Sequence, residues 1–566
     1  MKQYKLLTVH ICLYLHVEIV KMKKILEKIK NTKFQIRLPI ILTIGLAAGI
    51  MIGATFAGSD NSASDFMKSV LKFREIMSLI NRSYVDDVDT DDMVETAVNK
   101  MLEKLDPHTI YISAKDVELS TSDLKKEFEG VGIEFNIFRD TIVVLAPLSG
   151  GPSEKVGLLA GDKIVTVDGE TVAGIGISNR GVIDRLRGKK GTKVIVEIKR
   201  QRDSELIEFT IVRDKIPQYS VDAGYMVNDE IGYIKVNRFA ETTYEEFRDK
   251  LSTLVDQGMK KLIIDLQGNP GGYMDRAVNI ADELIANNAM IVSQEGKEPR
   301  ANAEYRAYRK GLFENGPVII LINEGSASGS EIVAGAVQDN DRGLIVGRRS
   351  FGKGLVQSLF RLSDGSELRL TISRYYTPSG RSIQRSYDDG LTAYHSDFHD
   401  RVKHGELFHA DSIKFNDSLK YQTTKGRTVY GGGGIMPDYF VPMDTNWNSR
   451  YYIKLRNNNV IREYALNYFQ KNENILEKMN YDNFRNDFEI DDKMIKDFVA
   501  LGEKFGVEYD ADGFERSEAV IKTIVKASIA RNAWGRESYY SILNDINEIF
   551  QEALNLFDEA ETLASK

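Results

Sequence analysis

The chain has 566 residues, of which 42% are hydrophobic and 28% are charged, and its formal net charge is −8. This length is too great for a single core and, at roughly 100–200 residues per domain, predicts about three or four domains. The negative net charge, with no long basic tract in the part expected to fold, argues against a nucleic-acid partner. Cys12 is the only cysteine, which excludes intrachain disulfides, a thiolate metal site and a cysteine nucleophile in the body of the chain.

The N-terminal segment has the pattern of a membrane anchor. Residues 1–37 are rich in lysine, and residues 38–57, LPIILTIGLAAGIMIGATFA, are uncharged and long enough to span a bilayer as a helix. The positive flank predicts a cytosolic leader and an inner-membrane anchor, with the rest of the chain in the periplasm or another extracytoplasmic space. A cleaved signal peptide, which would release a secreted form, is the alternative. A leader that begins at Met22 has a more regular pattern than one that begins at Met1. The hypothesis that residues 1–21 result from a wrongly assigned start site therefore stays open.

The spacing of apolar residues changes at about residue 122. Residues 58–121 place apolar side chains three and four positions apart, which predicts an N-terminal helical region. Residues 122–215 alternate apolar and polar positions, with an Asp-Gly turn in GDKIVTVDGETV and a short helix at GVIDRLRG. This second pattern predicts a small β-rich module with two short helices.

Residues 216–447 follow a strand, loop, helix order. Buried-strand patterns such as KLIIDLQ and PVIILIN lead through glycine- or serine-rich loops into amphipathic helices, which is typical of an α/β domain with its site at the strand C-termini. Residues 386–430 have few apolar runs and are predicted to be an insertion, and residues 448–566 have a mostly helical pattern. The predicted fold class is therefore α/β and multidomain, with helical flanking regions.

The segment NEGSASGSEIVAG, residues 323–335, places three serines between a buried strand and a helix. A hydroxyl at such a turn is exposed, and the helix N-terminus stabilises developing negative charge. One of these serines is therefore a candidate nucleophile. The alternative is that Ser328 or Ser330 only caps the helix, helped by Glu331 in the first turn.

A nucleophilic serine needs a base, and histidine is the usual one. The histidines that follow the leader are His108, before the β-rich module, and His395, His399, His404 and His409, in the insertion. None of them lies in a strand-end loop of the α/β region. A lysine serves if its pKa falls by about three units from about 10.4, at a desolvation cost of roughly 4 kcal/mol. Lys353 in SFGKGLVQS fits this role, since its flanking glycines permit close backbone approach; an exposed turn lysine is the alternative.

The loop GNPGG, residues 268–272, also follows a buried strand. Its glycines and proline can direct backbone N–H groups into a cavity, as an oxyanion hole requires. A plain tight turn is the alternative. Three such loops from three strand–helix units, at one end of a sheet, predict a catalytic site.

The motifs resemble those of the C-terminal processing peptidases, also called tail-specific proteases. GSASGSE and FGKGLVQ carry the resemblance, with the lysine 353 − 328 = 25 positions after the central serine, and LDPHTIY, DLQGNPGG, YYTPSGRSIQ and GGIMPD match further motifs in the family's order. The resemblance covers about residues 66–445. It implies a serine protease with a serine–lysine dyad, a PDZ domain and a core related to the crotonase fold, and it requires no metal or cofactor.

The resemblance also implies roles for individual residues. By position, Ser328 is the nucleophile and Lys353 is the general base, which Gln357 would orient. The N–H groups of Gly329 and of Gly271 or Gly272 would form the oxyanion hole.

Two positions depart from the family's usual pattern. Gly329 stands where alanine is usual, which keeps a backbone donor but predicts a looser loop. Gln267 stands where arginine is usual, so any salt bridge of that arginine is in doubt.

The resemblance identifies the β-rich module, residues 122–215, as the PDZ domain. GVGIEF resembles a carboxylate-binding loop, whose successive N–H groups bind a terminal carboxylate, and the peptide would add as a strand beside it. The candidate peptide contacts are Gly130, Val131, Gly132, Ile133, Phe135, Val182 and Leu186. The implied substrates are polypeptides with exposed apolar C-termini.

The leading hypothesis is an anchored, extracytoplasmic serine endopeptidase that binds a free C-terminal tail and cuts through an acyl-enzyme. The alternatives are a catalytically weak PDZ-containing adaptor or holdase in the periplasm and a crotonase-like enzyme acting on acyl-CoA. His395 and His399 are four positions apart in the insertion, but HExxH is absent and we predict no metal site. Formation of a homo-oligomer stays open.

Overall fold

The computed structural model describes residues 61–148, 151–159, 161–200, 205–414 and 416–565. The predicted membrane segment, residues 38–57, lies outside this described part. Within the part of the chain that the structure describes, no helix combines the length and the apolar character needed to cross a membrane.

The chain divides into two units, Met1–Val94 and Glu95–Lys566. Helix α1 (Asn61–Ser83) belongs to the first unit, and α2 (Thr90–Leu102) contains the boundary. Both helices lie within residues 58–121.

The β-rich module is an antiparallel sheet with the strand order β3-β4-β5-β7-β8, and β6 pairs with β5. Apolar residues at alternate strand positions, together with residues from two short helices, form its own core, as the period of two predicts. Its elements are β3 (Ile133–Phe138), β4 (Thr141–Pro147), α4 (Pro152–Val156), β5 (Lys163–Val167), β6 (Glu170–Thr171), α5 (Asn179–Leu186), β7 (Lys193–Lys199) and β8 (Ile207–Val212).

A two-stranded ribbon carries the chain into and out of this module. Strands β2 (Glu127–Gly130) and β9 (Asp214–Pro217) are antiparallel, and the short helix α3 (Val117–Thr121) precedes them. Directly before β2, the Lys126 N–H donates a hydrogen bond to the Glu241 carboxylate at 3.0 Å.

The α/β core is built on a six-stranded sheet with the order β10-β11-β12-β15-β16-β21. All neighbouring pairs from β11 onward are parallel, and β10 is antiparallel to β11. Three helices that alternate with the strands cover one face and form the largest apolar cluster. The elements are β10 (Val221–Met226), β11 (Ile231–Val236), α6 (Thr243–Asp256), β12 (Lys261–Asp265), α7 (Met274–Asp282), β15 (Val318–Ile322), α8 (Gly329–Asp339), β16 (Leu344–Gly347) and β21 (Tyr439–Phe440).

A second sheet lies beside this core and is formed by β1, β18, β13 and β14 in that order, with β17 also paired to β18. Its long strand β18 follows the lysine loop through β17, so this sheet fixes one side of that loop. The strands are β1 (Ile110–Ile112), β13 (Met290–Gly296), β14 (Ala303–Arg306), β17 (Leu355–Arg361) and β18 (Glu367–Tyr376).

The insertion, residues 386–430, is more structured than its sequence pattern suggested. It contains helix α9 (Leu391–Lys403) and the short antiparallel strands β19 (Lys420–Gln422) and β20 (Thr428–Tyr430). Tyr394 and Arg401 on α9 are buried, so this helix packs against other parts of the protein. Its helix is stabilised by aromatic and charged side chains rather than by an apolar stripe, and periodicity therefore missed it.

The C-terminal residues form two groups of helices. The first group has its own aromatic-rich core and contains α10 (Arg450–Asn457), α11 (Val460–Leu476), α12 (Tyr481–Asp487), α13 (Asp492–Lys504), α14 (Ala511–Trp534) and α15 (Arg536–Leu543). The second group is α16 (Glu548–Asn555) and α17 (Phe557–Ser565), which cover the other face of the six-stranded sheet.

Candidate active site

Three loops meet at one edge of the core sheet. They follow β12, β15 and β16, which are adjacent and parallel, so their C-terminal ends share that edge. The loops hold the GNPGG sequence, the three serines and Lys353. The sequence-predicted loops are therefore neighbours in the fold.

Two of the three serine hydroxyls in this loop donate hydrogen bonds to the GNPGG side of the site. The Ser326 hydroxyl donates to the Leu266 carbonyl at 2.8 Å, and the Ser330 hydroxyl donates to the Asn269 carbonyl at 2.9 Å. Both of these serines are fully buried, whereas Ser328 is half-buried. The neighbouring hydroxyls hold the loop on the GNPGG segment, and Ser328 is the serine that reaches accessible space.

Ser328 has a strained backbone. It precedes α8 with φ of 52° and ψ of −109°, a region that non-glycine residues rarely adopt and that costs about 1–3 kcal/mol. The strain turns the chain sharply from β15 into α8, which places the side chain at the helix N-terminus.

The glycines of GNPGG allow that loop to approach Ser328 closely. A Cβ added to Gly271, whose φ is 98°, would lie 2.7 Å from the Ser328 Cβ and 2.9 Å from the Gly329 nitrogen. The Gly271 N–H donates to the Asn269 side chain at 2.9 Å, so it is already occupied. Gly272 has no hydrogen-bond acceptor for its N–H among the described residues, and it is the better donor of this loop for an oxyanion.

Gly329 supplies a second backbone donor beside Ser328. It is the first residue of α8, and the first N–H groups of a helix have no intrahelical acceptor. A Cβ at this position would lie 2.9 Å from the buried Phe239 ring. The aromatic ring of Phe239 thus occupies the space that an alanine side chain would need, which gives a physical reason for glycine here.

The Glu331 carboxylate joins the serine loop to the lysine loop. One oxygen accepts the N–H groups of Ser328 at 2.8 Å and Lys353 at 2.9 Å. The other accepts the Gly352 N–H at 2.7 Å and the Ser350 hydroxyl at 2.5 Å. The side chain is fully buried, and burial raises the pKa of Glu331 to about 7 against these hydrogen bonds.

Tyr375 makes a second link between the same two loops. Its hydroxyl lies 2.5 Å from the Lys353 carbonyl oxygen and 3.2 Å from the Ser328 carbonyl oxygen. The ring is buried, and strand β18 holds it. The lysine loop is thus fixed to the serine loop through both a carboxylate and a hydroxyl.

Lys353 lies in a largely desolvated position. Burial lowers the pKa of its amine below the ordinary 10.5, and the Glu331 and Asp106 carboxylates oppose that shift. Glycines on either side let the backbone approach other segments: a Cβ at Gly352 would lie 3.1 Å from the Gly434 nitrogen. The lowered pKa increases the neutral fraction of the amine, which a proton acceptor requires.

Gln357 begins a series of hydrogen-bonded polar side chains that ends at Asp106. Its side-chain amide donates to the Thr371 hydroxyl at 3.3 Å, and that hydroxyl donates to the Asp106 carboxylate at 3.1 Å. The carboxylate also accepts the hydroxyl of Thr109 at 2.6 Å and the N–H of His108 at 2.8 Å. The LDPHT motif therefore supports the site through Asp106.

His108 contacts the insertion rather than serving as a base. Its Nε2 lies 2.7 Å from the Tyr394 hydroxyl. Burial, followed by the charge of Lys353, lowers the pKa of His108 to about 4, so its imidazole is neutral over the physiological range. Tyr394 and Phe351 also enclose the Arg385 guanidinium at 3.9 Å and 4.0 Å from the two ring centroids.

The sequence reasoning missed three of these roles. Glu331 was considered only as a helper of the helix cap, and Tyr375 and Asp106 appeared only inside quoted motifs. A glutamate three positions after a candidate serine, predicted to be buried, was the available signal for Glu331. Nothing in the local sequence of Tyr375 indicated that it would contact both loops.

The predicted peptide contacts cluster at one end of the β-rich module. Gly130 ends β2 and pairs with Asp214 of β9, and Gly132 has a positive φ of 75°. Ile133 and Phe135 are half-buried on β3, an edge strand, while Val131, Val182 and Leu186 are buried in the module core. Val182 is fully buried and belongs to the apolar core of the module.

Profiles of known families match four parts of the chain. Peptidase family S41 matches residues 230–392, and a PDZ domain matches residues 130–212. The N-terminal domain of the activating protease CtpB matches residues 52–116. A family of unknown function matches residues 451–535, which lie in the first group of C-terminal helices.

The chain also covers most of the length of several similar proteins. A carboxy-terminal-processing protease of Bartonella bacilliformis is 36% identical over 343 residues, which is 60% of this chain and 78% of that protein. The carboxy-terminal processing protease CtpB of Bacillus subtilis is 31% identical over 62% of this chain and 72% of its own. A solved structure of a photosystem II D1 C-terminal processing protease, 27% identical, covers 66% of this chain and 92% of that one at a TM-score of 0.33, which is too low to support a conclusion. On the sequence matches, the chain belongs to the carboxy-terminal-processing proteases of peptidase family S41, which are serine-type peptidases, and it carries a PDZ domain.

Proposed function

We propose that the protein is a serine endopeptidase whose catalytic dyad is Ser328 and Lys353. The observation that carries this proposal is the buried Glu331 carboxylate, which accepts hydrogen bonds from the backbone N–H groups of both residues. A single side chain thereby fixes the two loops relative to each other, and this is the preorganisation that a nucleophile and its base need. The Tyr375 hydroxyl supports the proposal by contacting the carbonyl oxygens of the same two residues.

The proposed reaction begins with neutral Lys353, which accepts the proton of the Ser328 hydroxyl as the oxygen attacks the scissile carbonyl carbon. The N–H groups of Gly329 and Gly272 then donate to the oxyanion of the tetrahedral intermediate. The protonated lysine passes its proton to the leaving amine, so the peptide C–N bond breaks and an acyl-enzyme remains. Water hydrolyses this ester by the same steps, with Lys353 again accepting a proton.

We assign Gln357 a positioning role. Its amide is held by Thr371, which in turn is held by Asp106, so the side chain has a defined orientation beside the lysine loop. A side-chain carbonyl held in this way would orient the lysine amine toward the serine. The Asp106 carboxylate also opposes the lowering of the pKa of Lys353, which keeps the amine basic enough to act.

The PDZ domain indicates polypeptide substrates, and we propose that it binds their free C-termini. The segment from Val131 to Ile133 would present backbone N–H groups to the terminal carboxylate, and the tail would add as a strand along the edge of β3. Apolar side chains of the tail would enter the groove between β3 and α5.

We further propose a crotonase-related core and an extracytoplasmic position. The alternation of parallel strands with α6, α7 and α8 supports the first proposal. The second rests on the sequence of residues 1–57 alone, which predicts an inner-membrane anchor with the protease in the periplasm.

The test is proteolysis of a loosely folded reporter that ends in an apolar tail. The wild-type protein should cut the reporter, and Ser328→Ala and Lys353→Ala should each lower the rate by at least about 1000-fold. Amidation of the reporter's C-terminus should raise KM and leave kcat nearly unchanged. Equal cleavage by the wild type and both variants would refute the dyad, and tail binding without any cleavage would favour a PDZ-containing adaptor.

A further inference from the structure

Strand β3 of the PDZ domain has two faces with different neighbours. Ile133, Phe135 and Ile137 pack against the core of the domain. The alternate residues Glu134 and Phe138 point the other way, because successive strand residues face opposite sides. Both contact the first group of C-terminal helices, residues 450–543, which we call the C-terminal brace.

Two separate contacts fasten β3 to the brace. The Glu134 carboxylate accepts hydrogen bonds from Arg531 at 2.7 Å and from Arg536 at 3.0 Å. At the end of the strand, the Phe138 ring stacks on Phe505 with centroids 4.7 Å apart. These contacts are charged and aromatic, and they hold the strand that would pair with a bound peptide.

The brace is fastened to the protease core by the same arginine. Arg536 donates from its other nitrogen to the Asp222 carboxylate on β10 at 2.8 Å. The Tyr540 hydroxyl donates to the same carboxylate at 3.0 Å, and Glu537 pairs with Lys250 on α6 at 2.5 Å. Arg536 therefore lies between the PDZ strand and the core sheet and bonds to both.

The ribbon of β2 and β9 also attaches the PDZ domain to the core, and Arg180 on α5 pairs with Asp116, ahead of the ribbon, at 2.6 Å. An isolated two-stranded ribbon is only marginally stable and the Arg180–Asp116 pair is exposed and therefore weak, so by themselves these attachments would let the domain pivot. The attachment at β3, away from the ribbon, removes that freedom. The position of β3 relative to Ser328 thus depends on its contacts with the brace. These are Glu134 with its two arginines and the Phe138–Phe505 stack. Directly after the strand, the Arg139 guanidinium also donates to the Lys504 carbonyl at 2.9 Å.

We propose that the C-terminal brace sets the distance between the bound tail and Ser328, and so determines how many residues from the C-terminus the substrate is cut. The inference rests on the proposed function. A tail paired with β3 moves with that strand, and Ser328 is fixed in the core. Whatever fixes β3 against the core therefore selects the peptide bond that reaches the nucleophile.

The test compares Glu134→Gln with Glu208→Gln in the full-length protein. The first substitution keeps the size of the side chain but removes the charge that holds both arginines, whereas Glu208 is exposed on β8, at the opposite edge of the PDZ sheet. Products of an unfolded reporter with a free C-terminus are mapped by mass spectrometry. The wild type and Glu208→Gln should give one dominant cut site or a few adjacent ones, and Glu134→Gln should spread the cuts and raise KM about fivefold.

A short peptide amidated at its C-terminus serves as the second substrate, since it reaches Ser328 without the PDZ domain. Its hydrolysis rate should be within twofold of the wild-type rate in Glu134→Gln. An unchanged set of reporter cut sites in this variant, or the same spread in Glu208→Gln, would overturn the inference. Cleavage that persists in Ser328→Ala would instead contradict the proposed function.

A distance measurement tests, without any catalysis, whether the brace holds the PDZ domain in one position relative to the core. Spin labels at Lys189→Cys in the PDZ domain and Lys297→Cys in the core, in a Cys12→Ser background, report the spread of positions by pulsed electron paramagnetic resonance. We expect a narrow distance distribution with Glu134 present and at least a doubled width in Glu134→Gln. Equal widths would overturn the proposed role of the brace.

Discussion

Glu331→Gln is the substitution that probes the link between the two catalytic loops. Each carboxylate oxygen of Glu331 accepts two hydrogen bonds. The amide of glutamine keeps one oxygen, and its NH2 group faces two of the four donors. Two buried donors then lose their acceptor, at about 1–3 kcal/mol each, which gives about 2–6 kcal/mol in total.

The unfavourable ionisation of the buried Glu331 carboxyl in the wild type offsets part of this loss of stability. Burial raises the pKa of Glu331 from 4.5 to about 7, a shift of 7 − 4.5 = 2.5 units, or about 3 kcal/mol. A raised pKa means that the folded state binds the proton more tightly, so this contribution stabilises the fold below pH 4.5 and is lost as the pH rises through about 7. Glutamine does not ionise. The destabilisation of the variant relative to the wild type should therefore be about 3 kcal/mol larger at pH 4 than at pH 8.

Activity should respond much more strongly than stability. The donors that lose an acceptor lie on the loops of Ser328 and Lys353, and a displacement of about 1 Å between reacting groups costs about 100-fold in rate. We expect kcat/KM on the tailed reporter at pH 8 to fall at least 100-fold in Glu331→Gln. Urea unfolding at pH 4 and pH 8 measures the stability of the same samples.

Glu324→Gln is the matched control for this prediction. Glu324 lies in the same loop and pairs with Arg348 at 2.9 Å, but it contacts neither Ser328 nor Lys353. Its substitution should keep kcat/KM within about threefold of the wild type. Activity of Glu331→Gln within threefold of the wild type would refute the reasoning, as would an equal loss in the control.

Three further predictions concern the same site. The acylation rate should rise with pH through the lowered pKa of Lys353, because the neutral amine is the base. In Lys353→Arg the acylation rate should be about 1000-fold lower at every pH tested, because a guanidinium stays protonated. Stopped-flow kinetics from pH 6 to pH 10 measure both rates, and a flat pH profile of the wild type would contradict the assignment. Gly329→Ala should lower both the rate of reporter cleavage and, by about 1–3 kcal/mol, the free energy of unfolding, since its Cβ would lie 2.9 Å from the Phe239 ring. Phe239→Leu in the same chain should recover part of the lost activity. Urea titration and reporter cleavage test this, and no change in either would show that the ring moves freely. Gly271→Ala should be nearly inactive, because its φ is 98° and its Cβ would lie 2.7 Å from the Ser328 Cβ; full activity in a folded variant would show that the two loops are not in contact.

The sequence predicted the elements that carry the catalytic motifs because their signals are local. A buried strand followed by a small-residue loop and a helix has a distinctive pattern, and β15 and α8 lie where that pattern places them. The family identified from the motifs is confirmed by the sequence matches. The three candidate loops meet at one edge because parallel strands have their C-terminal ends together.

The contacts between distant segments could not be predicted in the same way. Glu331 and Tyr375 act through hydrogen bonds to the backbone of two loops, and backbone groups leave no mark in a sequence. Helix α9 lacks an apolar stripe, so its period is weak. The Glu134 to Arg536 pair joins residues 402 positions apart, and a pairing over such a distance depends on the packing of two domains rather than on any local pattern.

Covalent labelling of Ser328 tests the central claim most directly. The wild type, Lys353→Ala and Ser328→Ala are treated with a fluorophosphonate at several pH values, and the adduct is located by peptide mass spectrometry. The account predicts a single adduct on Ser328 that forms faster as the pH rises, at least about 100-fold more slowly in Lys353→Ala, and not at all in Ser328→Ala. An adduct on another residue, or labelling of Lys353→Ala at the wild-type rate, would contradict the serine–lysine dyad.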